Sequence, residues 1–246
     1  MPEVPARENV PDFEAFGVIA FTTTRDAGSF GMMSDEPVRA VMTRWDELRA
    51  SLHAATPASA ARFATSKQVH GTRVVEHEDA WEGWLRTTEA DGHFALRRGT
   101  GMAVTIADCV PIFIVHPEGA VALLHSGWRG TAARIIERAL AAFSRQGLAA
   151  GDLRVHLGPA ICGDCYEVSA DVATALTGAP ATGPQRIDLR ALIADHARLG
   201  GVSAITTSEW CTRCDNARFF SHRAGDVGRQ VAVMVARSEL PRVDSP

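Results

Sequence analysis

No stretch of this 246-residue chain approaches the ~18 consecutive apolar residues of a membrane-spanning helix. Its N-terminus, MPEVPARENVPDFEAF, has neither the basic start nor the continuous apolar core of a signal peptide, so a soluble, cytoplasmic protein is expected. Charge of one sign never gathers into a long run. The 25 basic residues stand against 29 acidic ones, a net charge of −4, which argues against a nucleic-acid or anionic-membrane partner. Cysteine is scarce and odd in number: five residues are better explained as reduced thiols, metal ligands or a nucleophile than as a disulfide framework. Internal repeats, low-complexity tracts and the phosphate-binding pattern GxxxxGK[ST] are all missing.

What is present is a mixture of strand and helix patterns. A chain of this length buries roughly three quarters of its unfolded surface, and one domain is expected over 1–246, with 1–16 as an N-terminal extension and 238–246 as a C-terminal tail. GVIAFTTT (17–24) reads as a strand, followed by a loop at Arg25–Gly28. A helix follows, capped by Ser34 or Asp35 with Pro37 in its first turn. Its stripe of Val38, Val41, Met42, Trp45, Leu48 and Leu52 at helical spacing is read as core. A small-residue loop then leads into two short extended segments around His70-Gly71, and the acidic stretch 76–89 reads as a surface excursion. MAVTIA (102–107), PIFIV (111–115) and VALLH (121–125) are buried strands by their continuous apolarity. Residues Ala132 to Phe143 read as one amphipathic helix. LRVHLGP (153–159), VSAITT and RQVAVMVA (229–236) add strands, with a glycine-closed helix at IDLRALIADHARLGG. Strands and helices mix without strict alternation, which predicts an α/β layered sandwich with a mixed β-sheet.

Three constellations carry chemistry. Cys162-Gly-Asp-Cys165 and Cys211-Thr-Arg-Cys214 have the form of structural zinc pairs, but 45 residues separate them, and reduced, partly buried thiols are the favoured reading. His70, Cys109 and His125 form the second group. Cys109 and His125 end buried strands, neighbouring strands lie only about 5 Å apart, and two imidazoles with one thiolate would leave a metal its fourth position open. Spacing alone leaves this open, because a lone strand-end histidine is more often a hydrogen-bonded structural residue. Third, the turn Ser126-Gly127-Trp128-Arg129-Gly130 offers backbone N–H groups and Arg129 to an anion beside His125, although glycines there often serve only to turn the chain. His53, His77, His116, His156 and His196 fall at surface-like or pattern-neutral positions without a role. His93, after Asp91-Gly92, is of more interest, and in Phe219–Arg223 the aromatic pair reads as packing with Ser221 and Arg223 facing a pocket.

The motifs TTR (23–25), QVHG (68–71), ADG (90–92), TIADCVPI (105–112), HSGWRG (125–130), LGPAICGDCYEV (157–168), CT (211–212), FFSHR (219–223) and GRQ (228–230) stand in the order of a known family. The chain resembles the YfiH-type proteins, formerly called polyphenol-oxidoreductase laccase-domain proteins and later described as purine nucleoside phosphorylases. The resemblance implies a YfiH-like, cysteine-hydrolase-like fold and a zinc site, with copper as the other candidate metal, whose ligands carry over to His70, Cys109 and His125. It also implies that the cysteines of the CxxC pairs are not the catalytic ligands. The chain departs from the family in a shortened loop, DAGSFGMMSDEP, after Arg25, in Ser126 where alanine is usual, and in His222 where tyrosine is common.

The function implied is phosphorolysis of purine nucleosides, adenosine, inosine, guanosine and methylthioadenosine, to base and ribose 1-phosphate, with adenosine deamination as a second activity. Purine nucleosides and phosphate are then the partners, and the protein a monomer or small homo-oligomer. Arg25, Gly127, Arg129 and Arg223 are candidate phosphate or substrate contacts. Asp108 is a candidate proton carrier or, equally, a carboxylate that orients a ligand imidazole. Amide hydrolysis of a peptidoglycan precursor, with Cys109 as nucleophile and His125 as its base, is the alternative enzyme. Multicopper oxidation of phenols is disfavoured, since none of the nine histidines forms an HxH pair. A non-enzymatic binding module is disfavoured by the open metal position.

Overall fold

The computed structural model describes residues 5–33, 35–56, 62–77 and 81–238. In chain order the elements are β1 (Arg7–Asn9), β2 (Val18–Thr23), α1 (Val38–Ala55), β3 (Arg62–Ser66), β4 (Val74–Glu76), β5 (Gly83–Thr87), β6 (Gly92–Ala95) and β7 (Thr100–Ile106). There follow β8 (Val110–Val115), β9 (Val121–Ser126), α2 (Trp128–Ala132), α3 (Ile135–Arg145), β10 (Arg154–Leu157), β11 (Glu167–Val168) and α4 (Ala170–Thr177). The chain closes with β12 (Gln185–Arg186), α5 (Leu189–Leu199), β13 (Ala204–Thr207) and β14 (Gln230–Ala236).

The expected α/β sandwich is built from two mixed six-stranded sheets. One runs β1-β2-β14-β7-β3-β5 and the other β13-β10-β8-β9-β6-β4. Met102, Val104, Ile106 and Met234 of the first sheet face Phe113, Val115, Val121 and Leu123 of the second in a central apolar layer. The outer face of the first sheet packs on α1 through Phe21, Phe63, Trp45 and Leu48. The outer face of the second packs on α3, α4 and α5 through Ile112, Ile114, Leu124, Ile136, Phe143 and Ile193. Four layers result, helix, sheet, sheet, helix. This explains the unbroken apolarity of β8 and β9, every residue of which is buried because both faces are covered.

Several local expectations change. Ser34 lies outside the described residues, and Asp35 does not cap α1. Pro37 holds the N-cap position, with no side-chain hydrogen bond, so the helix starts where proline's fixed φ permits. The helix expected from Ala132 to Phe143 is broken in two by Arg134, whose φ of 58° is left-handed. The stretch 76–89 is more than an excursion: β5 runs parallel to β3 as an edge strand, and Trp84 packs on Trp45. The segment before β2 supplies β1, paired antiparallel with β2, and Val10 and Phe13 join the central core. His77, His116, His156 and His196 are buried, contrary to the surface-like reading. The described residues contain no helix long and apolar enough to cross a membrane.

Candidate metal centre

Strand register delivers the site. The β8–β9 ladder ends at the pair Val110↔Ser126, so Cys109 and Gly127 stand one step beyond it. On the other side of β9, the β6 ladder ends at Gly92↔Leu124, which places Asp91 opposite His125. Three adjacent strands therefore present Cys109, His125 and Asp91 at one end of one sheet, and the β3–β4 loop brings His70 to them. The ligand atoms of His70, Cys109 and His125 all lie within 4.8 Å of one another, and the two imidazole rings meet edge to face at 4.9 Å between centroids. His125 is buried, Cys109 is half-buried and His70 is exposed, so the group faces outward on the His70 side.

Asp91 is the residue that sequence reasoning passed over. It is fully buried, its carboxylate accepts the backbone N–H groups of Val69, His70 and Gly71 at 3.1, 2.9 and 2.7 Å, and His125 Nδ1 lies 2.9 Å from Oδ1. Burial disfavours the charge, but the His125 hydrogen bond and these N–H donors outweigh it and hold the carboxyl below its usual range. One group thus fixes the loop that carries one imidazole and the tautomer of the other. With Nδ1–H given to Asp91, His125 keeps Nε2 for a metal, the arrangement seen where a carboxylate orients a ligating histidine. The signal was present as ADG, whose glycine is required sterically: a Cβ at Gly92 would sit 2.5 Å from Leu124 Cδ2.

Two site residues hold left-handed backbone, His70 at φ 60° and Asp108 at φ 80°. Such residues are uncommon outside glycine and persist where neighbours over-determine them. Asp91 does this for His70. For Asp108 the restraint is its own carboxylate, which accepts the Thr212 hydroxyl at 2.7 Å and the Arg223 backbone N–H at 2.7 Å. Both Asp108 oxygens are thus engaged as acceptors, and the carboxylate that meets the His125 imidazole is that of Asp91.

Electrostatics favour a charged pair. Burial opposes ionisation of Cys109, yet the adjacent His125 and hydrogen bonds from His125 and His70 bring its pKa down to about 6. Burial likewise opposes protonation of His125, but the Cys109 sulfur and Asp91 raise its pKa. The thiolate is the ligand and nucleophile form. Two imidazoles and a thiolate match the donor chemistry of zinc, and imidazole and thiolate also suit copper. Gly127 leaves room for an ion there, since a Cβ on it would lie 2.9 Å from Cys109 Sγ and 3.1 Å from His70 Cδ2.

The remaining candidates fall into two groups. Arg129 is exposed and lies over the Trp128 ring at 4.3 Å, while Arg223 is exposed and lies over the Tyr166 ring at 5.1 Å. The helix after Gly127 has only five residues, so the expected anion pocket draws little from a helix dipole and depends on these guanidinium groups. Arg25 is committed elsewhere: it donates to the carbonyls of Asn216 and Phe219 and pairs with Asp226 at 2.7 Å. Ser221 is fully buried and its oxygen accepts the Ala224 N–H, so it shapes a turn. His93 is buried against His77, Nδ1 to Nε2 at 3.0 Å. Tyr166, the single tyrosine of the chain, is a second residue the sequence reading left without a role. Its pKa is pushed up to about 12 by burial and by Cys109 and Asp108, against the opposing Arg223 and Arg129, which makes it a neutral hydroxyl beside the site.

A cavity of about 720 Å³ opens on the outer face of the first sheet, lined in part by Phe30, Met32, Met42, Trp45 and Trp84. The three metal-ligand candidates do not line it, but Gln68 of the His70 loop does. The loop after Arg25 walls this cavity, and of the α1 stripe Met42 faces it while Trp45 faces both it and the core.

The family described as multi-copper polyphenol oxidoreductase laccase matches residues 26–237. The chain belongs to this family. Adenosine deaminase RL5, from an unknown prokaryotic organism, is 38% identical over 162 residues, 60% of this chain and 60% of its own length. Purine nucleoside phosphorylase YlmD of Geobacillus stearothermophilus is 35% identical over 201 residues, 72% of this chain and 73% of YlmD. The crystal structure of YlmD from the same organism is similar with a TM-score of 0.83 at 28% identity, covering 96% of this chain and 98% of YlmD. A hypothetical protein YfiH from Bacillus licheniformis shares the fold, with a TM-score of 0.82 at 23% identity over 96% of this chain and 98% of its own. The YfiH-type resemblance and its fold are thereby met.

Proposed function

We propose that this chain is a zinc-dependent purine nucleoside phosphorylase that also deaminates adenosine. The observation that carries the reading is the convergence of His70, Cys109 and His125 on one point with Asp91 behind them, in a chain whose relatives bear those two names. His70, Cys109 and His125 would hold the zinc. Bound there, it would supply a Lewis acid that polarises an oxygen and lowers the pKa of water.

The protein's own groups do the rest. Arg129 and Arg223 present exposed guanidinium groups to phosphate, whose planar forks match phosphoryl oxygens. Tyr166 stays protonated at neutral pH and donates a hydrogen bond to the substrate. Asp108 acts through Arg223, fixing its backbone, and is a positioning residue in this reading. Arg25 holds the 216–226 loop in place.

The test is to incubate zinc-loaded protein with adenosine, with and without phosphate, and separate the products, using His125→Ala to expose contaminating enzymes. Phosphate-dependent adenine that disappears in the variant supports phosphorolysis, and inosine without phosphate supports deamination. Identical traces from both proteins would reject the proposal.

A second reading is favoured by one observation. Cys109, His125 and Asp91 also have the order of a nucleophile, its base and the carboxylate that orients the base, with the thiol's pKa already lowered. Amide hydrolysis through a Cys109 thioester then takes the place of metal chemistry. Release of amine from a peptidoglycan-precursor amide by metal-free protein, abolished in Cys109→Ser, would support it.

A further inference from the structure

The two CxxC turns, separated by 45 residues in sequence, stand side by side in the fold. Ala160 forms a parallel bridge with Cys211, and Thr212 N–H donates to the Ala160 carbonyl at 3.1 Å. This contact carries the β10–β11 loop alongside the β13–β14 loop, and sequence spacing gave no hint of it. The sulfur atoms of Cys162, Cys165, Cys211 and Cys214 all lie within 4.8 Å of one another. From these four sulfurs we infer a second metal site, a closed, all-thiolate tetrahedral site for zinc, with a structural role and separate from the His70 centre.

The geometry suits the ion. A zinc–sulfur distance of about 2.3 Å sets the edge of a sulfur tetrahedron at about 3.8 Å. Cys165 and Cys214 lie 3.4 Å apart, close to that edge and well beyond a disulfide bond. The surroundings suit thiolates as well. The backbone N–H groups of Cys162 and Cys214 donate to Cys211 Sγ at 3.3 and 3.4 Å, hydrogen bonds that stabilise a sulfur anion.

The site fastens two loops that both reach the His70 centre. Tyr166 follows Cys165 directly, and Thr212, which holds Asp108, follows Cys211. Zinc would clamp both to one point, where the two-residue strands β11 and β12 give little other support.

The full chain carrying His125→Ala isolates this site from the other. After zinc loading and desalting it is expected to keep about one zinc per chain, and cobalt in its place to give the intense visible bands of a thiolate-rich tetrahedral site. Cys165→Ser with Cys214→Ser should abolish both. Cys214→His, which keeps four donors, should retain the metal with weakened, shifted cobalt bands even if the double variant fails to fold. No zinc retained by His125→Ala, with all four thiols freely reactive or with a Cys165–Cys214 disulfide in its mass spectrum, would overturn the inference.

Discussion

Asp91 and His125 are joined twice: the backbone N–H of His125 donates to the Asp91 carbonyl at 2.7 Å, and His125 Nδ1 donates to Asp91 Oδ1 at 2.9 Å. The same carboxylate gathers three N–H groups of the His70 loop, so two metal-ligand candidates on different elements share one anchor. Asp91→Asn keeps the shape but turns an amide NH₂ toward one set of N–H donors. Zinc affinity is expected to fall about 10–100-fold, measured by competition with a chelator. Unchanged affinity would show that Asp91 only supports the loop.

Gly127 offers a sharper probe of the same centre. Its φ of −85° and ψ of −173° suit any residue, so Gly127→Ala brings no backbone strain and acts only through the new methyl, 2.9 Å from Cys109 Sγ. Displacing a ligand by a fraction of an ångström is expected to lower kcat/KM by about 10–100-fold with little change in Tm. Equal loss of activity and thermal stability would point instead to general disruption of the strand end.

Much of this was legible in the sequence, for identifiable reasons. β8 and β9 announce themselves because two-sided burial leaves their interiors almost wholly apolar, and Cys109 and His125 stand out as the first chemical groups at their ends. The four-layer arrangement was not legible, since continuous apolar strands fit one buried sheet as well as two. Asp91 was hidden because its role depends on register across β6 and β9, which no local pattern encodes. The convergence of the cysteine quartet was not legible because separation along the chain says little once an isolated bridge such as Ala160↔Cys211 joins two loops. Arg25 looked like a binding residue beside a recognisable motif, yet its charge is spent on Asp226 and two carbonyls.

That distinction among arginines is measurable. Arg129→Met and Arg223→Met are each expected to raise the KM for phosphate about tenfold or more, the loss of one charge-assisted hydrogen bond, while leaving phosphate-independent adenosine deamination near the original rate. Arg25→Met should do the reverse, lowering Tm through loss of its three hydrogen bonds with no selective effect on phosphate. A phosphate-specific defect in Arg25→Met would return that residue to the substrate site.

Acid sensitivity follows from histidines outside the site. His156 is buried, with Nδ1 2.8 Å from Thr206 Oγ1, and burial together with Arg190 lowers its pKa from 6.5 to about 4. Burial lowers His77 to about 4 and His93 to about 3 in the same way. Because each folded-state pKa lies below the unfolded one, the unfolded chain takes up protons first as pH falls. Stability held above pH 6.5 is therefore lost progressively down to about pH 4 for His156 and His77, and to about pH 3 for His93. Each group contributes a slope of at most about 1.4 kcal/mol per pH unit. His156→Gln can still meet Thr206 yet cannot titrate, so urea denaturation of this variant between pH 7 and pH 4 should show a decline shallower than wild type by about that slope. Parallel declines would mean that folding does not lower the pKa of His156.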